Sequence, residues 1–148
     1  MMGATLLGDK ELERTLKTLG ERVQRKVTRQ AVNAACTPIV KAARNNAPEE
    51  SGLLKESLAK KIKTYPASMT VVGIIGPDTE TKGEYKGEKR WPAKYAHLVE
   101  NGHINPDGKF VPPHPFMRPA YESTQAMALD AMKDKLGKGI EREAAKQE

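Results

Sequence analysis

His97, His103 and His114 are the chain's three histidines, and with Glu100 among them they are the first residues to test for metal chemistry. Zinc sites recruit ligands in tight pairs, roughly two to five residues apart, and commonly enlist cysteines. Here five and ten residues intervene between successive histidines, and the single cysteine is the distant Cys36. That spacing fits no compact ligand set. His97 is expected to pack in a short helix, and the other two histidines to lie in loops. Two carboxylate pairs, Glu49 with Glu50 and Glu100 with Asp107, are the next candidates. General acid–base work needs a carboxyl whose pKa is shifted toward neutrality by its surroundings. No sequence neighbour supplies such a shift, so solvated surface carboxylates are expected. The chain contains no G-x-S-x-G, no Walker A loop and no G-x-G-x-x-G fingerprint. Gly83 and Gly87 do not sit between a strand and a helix, so they read as loop glycines. No catalytic residue, metal or cofactor is expected, and the protein is read as a non-enzyme.

Charge offers a different chemistry. The net charge of +6 over 148 residues permits contact with nucleic acid or acidic protein surfaces. Arg14, Lys17, Arg22, Arg25, Lys26 and Arg29 share one face of the first helical segment and could grip phosphates. Glu11, Glu13 and Glu21 dilute that face, which favours a solvated or ring-lining surface over a specific DNA reader. Cys36 excludes an internal disulfide and suits folding in a reducing cytosol. Between Ala34, Ala35 and Ile39 it reads as a small buried apolar residue. No stretch approaches the roughly 20 apolar residues of a membrane span. Met1 to Gly8 lacks the basic-then-apolar plan of a signal peptide.

The elements that must carry these residues are legible from periodicity. Asp9 can cap a helix, and Leu12, Leu16, Leu19, Val23 and Val27 follow at steps of four, three, four and four. Ala31, Ala34 and Ile39 continue the stripe, giving one long helix from Asp9 to Asn46. Gly20 and Pro38 are its weak points, and Pro38 should kink it. Ser51 caps a short turn from Leu53 to Ser57. Strands follow at Leu58 to Tyr65 and Met69 to Ile75, joined by Pro66-Ala67-Ser68. The segment 77–94 lacks an apolar period and reads as a flexible loop. Tyr95 to Glu100 forms one or two helical turns, ended by Asn101-Gly102. Asn105 to Pro115 is extended. Pro119 suits the first turn of a C-terminal helix. Tyr121, Thr124, Ala128, Met132 and Leu136 fall on one face of that helix, and residues 141–148 are expected to fray.

One domain covering residues 1–148 accommodates this order. The fold class is α+β: a long N-terminal helix and a C-terminal helix packed on a small antiparallel sheet. Two strands alone are marginal. A further strand must come from the loop region, from Lys109-Phe110-Val111, or from a neighbouring subunit. A helix of about 38 residues would be roughly 57 Å long, against ~30 Å for a small domain. Part of its stripe should therefore overhang and seek another surface, with Leu12, Leu16, Leu19, Val23 and Val27 as the candidate subunit interface.

Three short motifs in order carry a family resemblance. Ala47-Pro48-Glu49-Glu50-Ser51-Gly52-Leu53-Leu54-Lys55-Glu56-Ser57 is the first, Tyr95-Ala96-His97-Leu98-Val99-Glu100-Asn101-Gly102 the second, and Pro115-Phe116-Met117-Arg118-Pro119-Ala120 the third. Together they resemble the gene-product-ten-like family of lambdoid-type siphophages, a head–tail joining or tail-completion family. Glu50 stands where that family usually has Asp, and Leu98 and Asn101 stand where it has aromatics. Pro48, Ser51, Gly52, Tyr95, Glu100, Gly102, Phe116, Arg118 and Pro119 are the motif residues expected to build the scaffold. Glu100 would accept backbone N–H bonds in its turn or pair with Arg118, and Phe116 would anchor the preceding loop in the core.

The resemblance implies a structural virion protein, assembled in the host cytoplasm and seated in the neck. It implies a homo-oligomeric ring, a hexamer by the sixfold order of siphophage tail tubes. Its neighbours would be the head-closure or connector protein, the tail terminator and the tail tube, with the genome passing through or near the ring. The alternative reading is a small basic nucleic-acid-binding protein acting outside a virion.

Overall fold

The first apolar stripe folds as two helices rather than one. The computed structural model describes residues 10–146, without the side chains of Glu11, Leu12, Glu13 and Thr15. Asp9, the expected cap, lies outside the described residues. Helix α1 (Lys10–Thr18) and helix α2 (Glu21–Asn46) are separated at Leu19-Gly20. Glycine gives up more backbone entropy in a helix than any other residue, about 1 kcal/mol relative to alanine. The break is closed locally: Leu19 donates its N–H to the Leu16 carbonyl at 3.1 Å, and the Gln24 side-chain amide donates to the Leu19 carbonyl at 2.6 Å. Pro38, the other expected weak point, lies inside α2, which continues through it. The 57 Å length expected of one helix is therefore corrected. The 26 residues of α2 give roughly 39 Å at about 1.5 Å per residue.

After α2 come the short helix α3 (Leu53–Ser57) and the hairpin of β1 (Leu58–Tyr65) and β2 (Thr70–Pro77). A single 3₁₀ turn over Pro66–Ser68 joins the strands, and Met69 takes the left-handed conformation at its end. Asp78 then stops the strand: its carboxylate accepts the N–H groups of Glu80 and Thr81 and the Thr81 hydroxyl.

The segment 77–94, expected to be a flexible loop without regular elements, holds regular structure. It forms a second hairpin, β3 (Gly83–Tyr85) and β4 (Glu88–Arg90), paired antiparallel with Tyr85 opposite Glu88. Its two-residue turn is Lys86-Gly87, both at positive φ (52° and 80°), the backbone that matches strand twist in tight hairpins. The apolar period is missing because these strands carry charges rather than burying a face.

Helix α4 (Pro92–Asn101) begins with proline in its first turn and ends at Gly102. The extended stretch beyond it contains a third hairpin, β5 (His103–Ile104) and β6 (Phe110–Val111), with Ile104 opposite Phe110. The strand at Phe110-Val111 thus exists, but it pairs within its own hairpin and not with β1–β2. Helix α5 (Met117–Ala145) closes the chain. The helix continues past residue 141, where fraying is expected to begin, as far as Ala145, while Gln147 and Glu148 lie outside the described residues. Helices dominate beside three two-stranded sheets, so the α+β class expected from the sequence is the observed one.

The chain folds as two compact units. One takes residues up to Pro38, Lys61–Ile74 and Ala126 onward, and the other takes Ile39–Lys60 and Ile75–Gln125. In the first unit Leu19, Val27, Ala31, Ala35, Cys36, Ala128 and Ile140 are buried. Small residues let the elements approach closely there. A methyl group on Gly73 would fall inside the van der Waals shell of the Cys36 sulfur and 3.1 Å from Val32 Cγ1. A methyl on Gly139 would lie 2.9 Å from Val27 Cγ1. The carboxylate of Glu143, 7% exposed, receives Lys26 Nζ at 2.9 Å, Lys146 Nζ at 3.4 Å and Arg142 Nε at 3.8 Å. The second unit has its own core of Ala43, Ala47, Leu54, Leu58, Ala96, Phe116 and Ala120, with Tyr95, Val99 and Met117 packed against it.

Candidate functional site

The family-motif residues converge in the second unit, and Glu100 organises them. It lies in the last turn of α4, where its carboxylate reaches the start of α5. Oε2 accepts the N–H groups of Phe116 at 2.8 Å and Met117 at 3.0 Å, and Oε1 accepts that of Arg118 at 3.0 Å. The first N–H groups of a helix have no partner within it, and the helix dipole favours an anion there. Glu100 thus caps α5 from a separate helix. Burial by itself would raise its pKa. The N–H groups of Met117, Phe116 and Arg118, with the nearby Arg118 charge, outweigh burial and hold the carboxyl below its ordinary value. A carboxylate held ionised, with both oxygens occupied, is a poor proton donor or acceptor near neutral pH. Of the two roles expected, the backbone bonds are observed, but to the α5 N-terminus rather than to the Asn101-Gly102 turn.

The other motif residues support this junction. Gly102 has φ 72°, and a methyl there would lie 2.8 Å from the Pro113 nitrogen and 2.9 Å from the Val111 carbonyl oxygen. The close pass lets the His114 N–H bond the Val99 carbonyl at 2.8 Å. Phe116, 1% exposed, fills the core as anticipated. Pro119 sits in the first turn of α5. Gly52, at φ 71°, and not the expected Ser51, stands at the cap position of α3, where no side chain caps the helix, and Ser51 Oγ one residue earlier accepts the Leu53 N–H at 3.4 Å. Tyr95 packs at the edge of the core, and Pro48 is half-buried beside Ala47.

Glu49 and Glu50 do not act as a pair, because each has its own partners. Glu49 pairs with Lys55, whose hydrogen bond holds the Glu49 carboxyl below its ordinary value. Glu50 accepts the Tyr85 hydroxyl at 2.9 Å and has Lys86 Nζ at 3.7 Å. Lys86 and Arg90 also stand over the Tyr85 ring, at 5.0 and 5.4 Å from its centre. Asp107 is paired with Lys109 at 3.9 Å, while Glu100 is spent on α5. His97 and His114 are exposed, and His103 Nε2 lies 2.9 Å from Asn105 Oδ1. Among the described residues no group of three His, Cys, Asp or Glu side chains is placed to hold a metal, and no helix is long and apolar enough to cross a membrane.

The candidate interface stripe is not one surface. Val27 (0% exposed) and Leu19 (3%) belong to the interior of the first unit, whereas Leu16 and Val23 are half-buried. The side chain of Leu12 lies outside the described residues. The basic face is likewise divided. Lys26 is bound to Glu143, and Arg29 Nη1 donates to the Ile62 carbonyl at 3.0 Å and to Thr64 Oγ1 at 3.1 Å. Arg14 and Arg22 remain exposed. Sequence reasoning missed Gly73, Gly139, Arg44 and Glu143 as structural residues, because their partners are remote in sequence.

A family model described as "Bacteriophage HK97-gp10, putative tail-component" matches residues 10–102, more than half of the chain. The match spans α1 to the Gly102 turn and contains the first two motifs, and the third, at Pro115–Ala120, lies beyond it. No curated protein and no solved structure matches the chain.

Proposed function

The chain belongs to the HK97-gp10-like family of bacteriophage tail components, and on that footing we propose that it is a non-enzymatic neck subunit. In this reading it forms a ring that completes the tail and joins it to the head. The observation that carries the proposal is the family match over the helix–hairpin–helix portion that holds the Ala47–Ser57 and Tyr95–Gly102 motifs. The geometry supports a structural role. The carboxylates of Glu100 and Glu143 are bound to backbone and to cations and act as fasteners.

The ring would contain six copies, matching the order of siphophage tail tubes. It would meet the head-closure or connector protein on one side and the tail terminator or tube on the other, in the virion neck. Leu12, Leu16 and Val23 would contribute to the subunit boundary, since Leu19 and Val27 are already spent inside the subunit. Arg14, Arg22 and Arg25 would meet the phosphates of DNA passing through. A density map of the virion neck tests the proposal: six copies at the head–tail joint are expected. Twelve copies would refute the sixfold assignment and place the protein nearer the portal. Absence from the virion would sink the proposal.

A further inference from the structure

The two edges of the β1–β2 sheet are treated differently. Asp78 donates its N–H to the Ser57 carbonyl at 2.9 Å, which sets the phase of the hairpin. In an antiparallel pair, backbone groups alternate between facing the partner and facing away. Leu58 and Ile62 therefore turn their carbonyls to the outer edge of β1, and both are covered. Arg44 donates from Nε and Nη2 to the Leu58 carbonyl at 2.9 and 2.6 Å, and Arg29 donates to that of Ile62. β1 also carries Lys60, Lys61 and Lys63. Charges and covering side chains are the usual protection of a sheet edge.

β2 carries no charge of its own. By the same alternation Val71, Gly73 and Ile75 turn their N–H and C=O groups outward. Among the described residues β2 has no strand neighbour but β1, and no other backbone bond reaches those three residues. The strand reads TVVGIIGP, β-branched and uncharged. On it Ile74 (43%), and beside it Tyr65 (47%) and Met69 (41%), are exposed.

A second exposed apolar patch lies on the β5–β6 hairpin. Ile104 and Phe110 are direct cross-strand partners and so share a face, and they are 71% and 68% exposed. This hairpin is held in shape by Asn105 N–H to the Lys109 carbonyl at 2.8 Å, by Gly108 N–H to the Asn105 carbonyl at 2.8 Å, and by the His103–Asn105 contact. Five of the six exposed large apolar side chains among the described residues thus lie on these two hairpins.

We propose that the β2 edge is a docking site for a second copy of this chain, whose β5–β6 hairpin lies alongside β2 and sets Ile104 and Phe110 against the Tyr65–Ile74 face. The inference rests on the reading of the protein as an assembling subunit and names the contact. A ring requires a heterologous interface, in which one patch meets a different patch on the next subunit. The chain carries two such patches, one an open strand edge and the other a preorganised hairpin. Preorganisation lowers the ordering cost of association. The uncharged β2 edge also offers nothing to repel a hairpin whose charges, Asp107 and Lys109, are paired with each other. A Phe side chain contributes ~150–250 Å², against ~1,600 Å² for a standard interface. The docking is thus the anchor of a larger contact.

The test mixes two populations of full-length protein, one carrying Ile74→Cys and the other Phe110→Cys, under mild oxidation, with the parent sized in parallel. A mixed 74–110 disulfide between chains is expected. Val71→Pro removes an N–H that β1 does not use and should weaken association roughly tenfold or more. Ile74→Lys serves the same purpose if the proline disturbs the strand. Rings of the parent, with no 74–110 link in the mixed variants or with only 74–74 and 110–110 links, overturn this docking while leaving the assembly reading intact. A parent that stays monomeric up to millimolar concentration, with no cross-link in the mixed variants, overturns both.

Discussion

Glu100 accepts the backbone N–H of Phe116, the residue before α5, at 2.8 Å, and those of Met117 and Arg118 behind it, so the last turn of α4 caps the entry to α5. The residue that fills the core of the second unit is held at its backbone by a carboxylate sixteen positions earlier. The motifs around Glu100 and Phe116, separate in sequence, are one junction in space.

Removing that carboxylate should uncouple the junction. Glu100→Ala leaves three backbone N–H groups at the entry to α5 without their acceptor and should cost about 2–3 kcal/mol, with Glu100→Gln costing less. Urea unfolding at neutral pH measures both. The folded pKa of Glu100 lies below its unfolded value, so its contribution is complete above the ordinary glutamate range near 4.3. It should disappear as pH falls through the folded pKa. The Gln variant should lack this part of the acid dependence, and equal acid sensitivity in both proteins would show that Glu100 is not its source.

Gly73→Ala should destabilise the first unit by about 1–3 kcal/mol, the usual cost of overpacking. The added methyl meets the Cys36 sulfur. Combining it with Cys36→Ala should recover part of the loss, and a double-mutant cycle reads the coupling. Strict additivity would mean that β2 relaxes away from α2 instead.

Lys26→Met should lower the melting temperature, because it removes the nearest cation from a carboxylate that is 7% exposed. Replacing both partners, Lys26→Met with Glu143→Leu, should restore much of the loss, since breaking a shielded pair costs more than exchanging it for apolar packing. A double variant no better than the single one would assign the effect to Lys26 packing.

The Glu50–Tyr85 contact predicts a measurable local stability. Tyr85→Phe removes one hydrogen bond, worth about 1 kcal/mol, and should speed amide exchange across Gly83–Arg90 about fivefold. Exchange elsewhere should be unchanged. Uniform acceleration would show that the hairpin opens only with the whole protein.

The stripe on α1 and α2 separates folding from assembly. Val27→Ala empties a fully buried site beside Gly139 and should cost about 1–3 kcal/mol of stability. Leu16→Asp and Val23→Asp should leave more of the fold intact and block the joining of tails to heads. Normal virion yield from both Asp variants would remove these residues from the subunit boundary.

What the sequence determined by itself was local. The strand expected at Leu58 to Tyr65 is β1 to the residue, and the β-branched run after it is β2, because side-chain branching and turn chemistry act within a few residues. The Pro-flanked entry to α5 and the turns at Gly52 and Gly102 were legible for the same reason, as was the burial of Cys36 and Phe116. Tertiary structure decided the rest. The stripe from Leu12 to Val27 looked continuous, but packing spends Leu19 and Val27 inside the first unit, and Gly20 lets the helix break. Lys86-Gly87 was read as slack although it is a two-residue hairpin turn, because Tyr85 finds its partner in Glu50, thirty-five residues away. Gly139 is the position where only a hydrogen leaves room for Val27, and Glu143 beyond it holds the helix through Lys26. Periodicity reports which face of an element is apolar. What that face meets depends on contacts between residues the chain brings together only on folding.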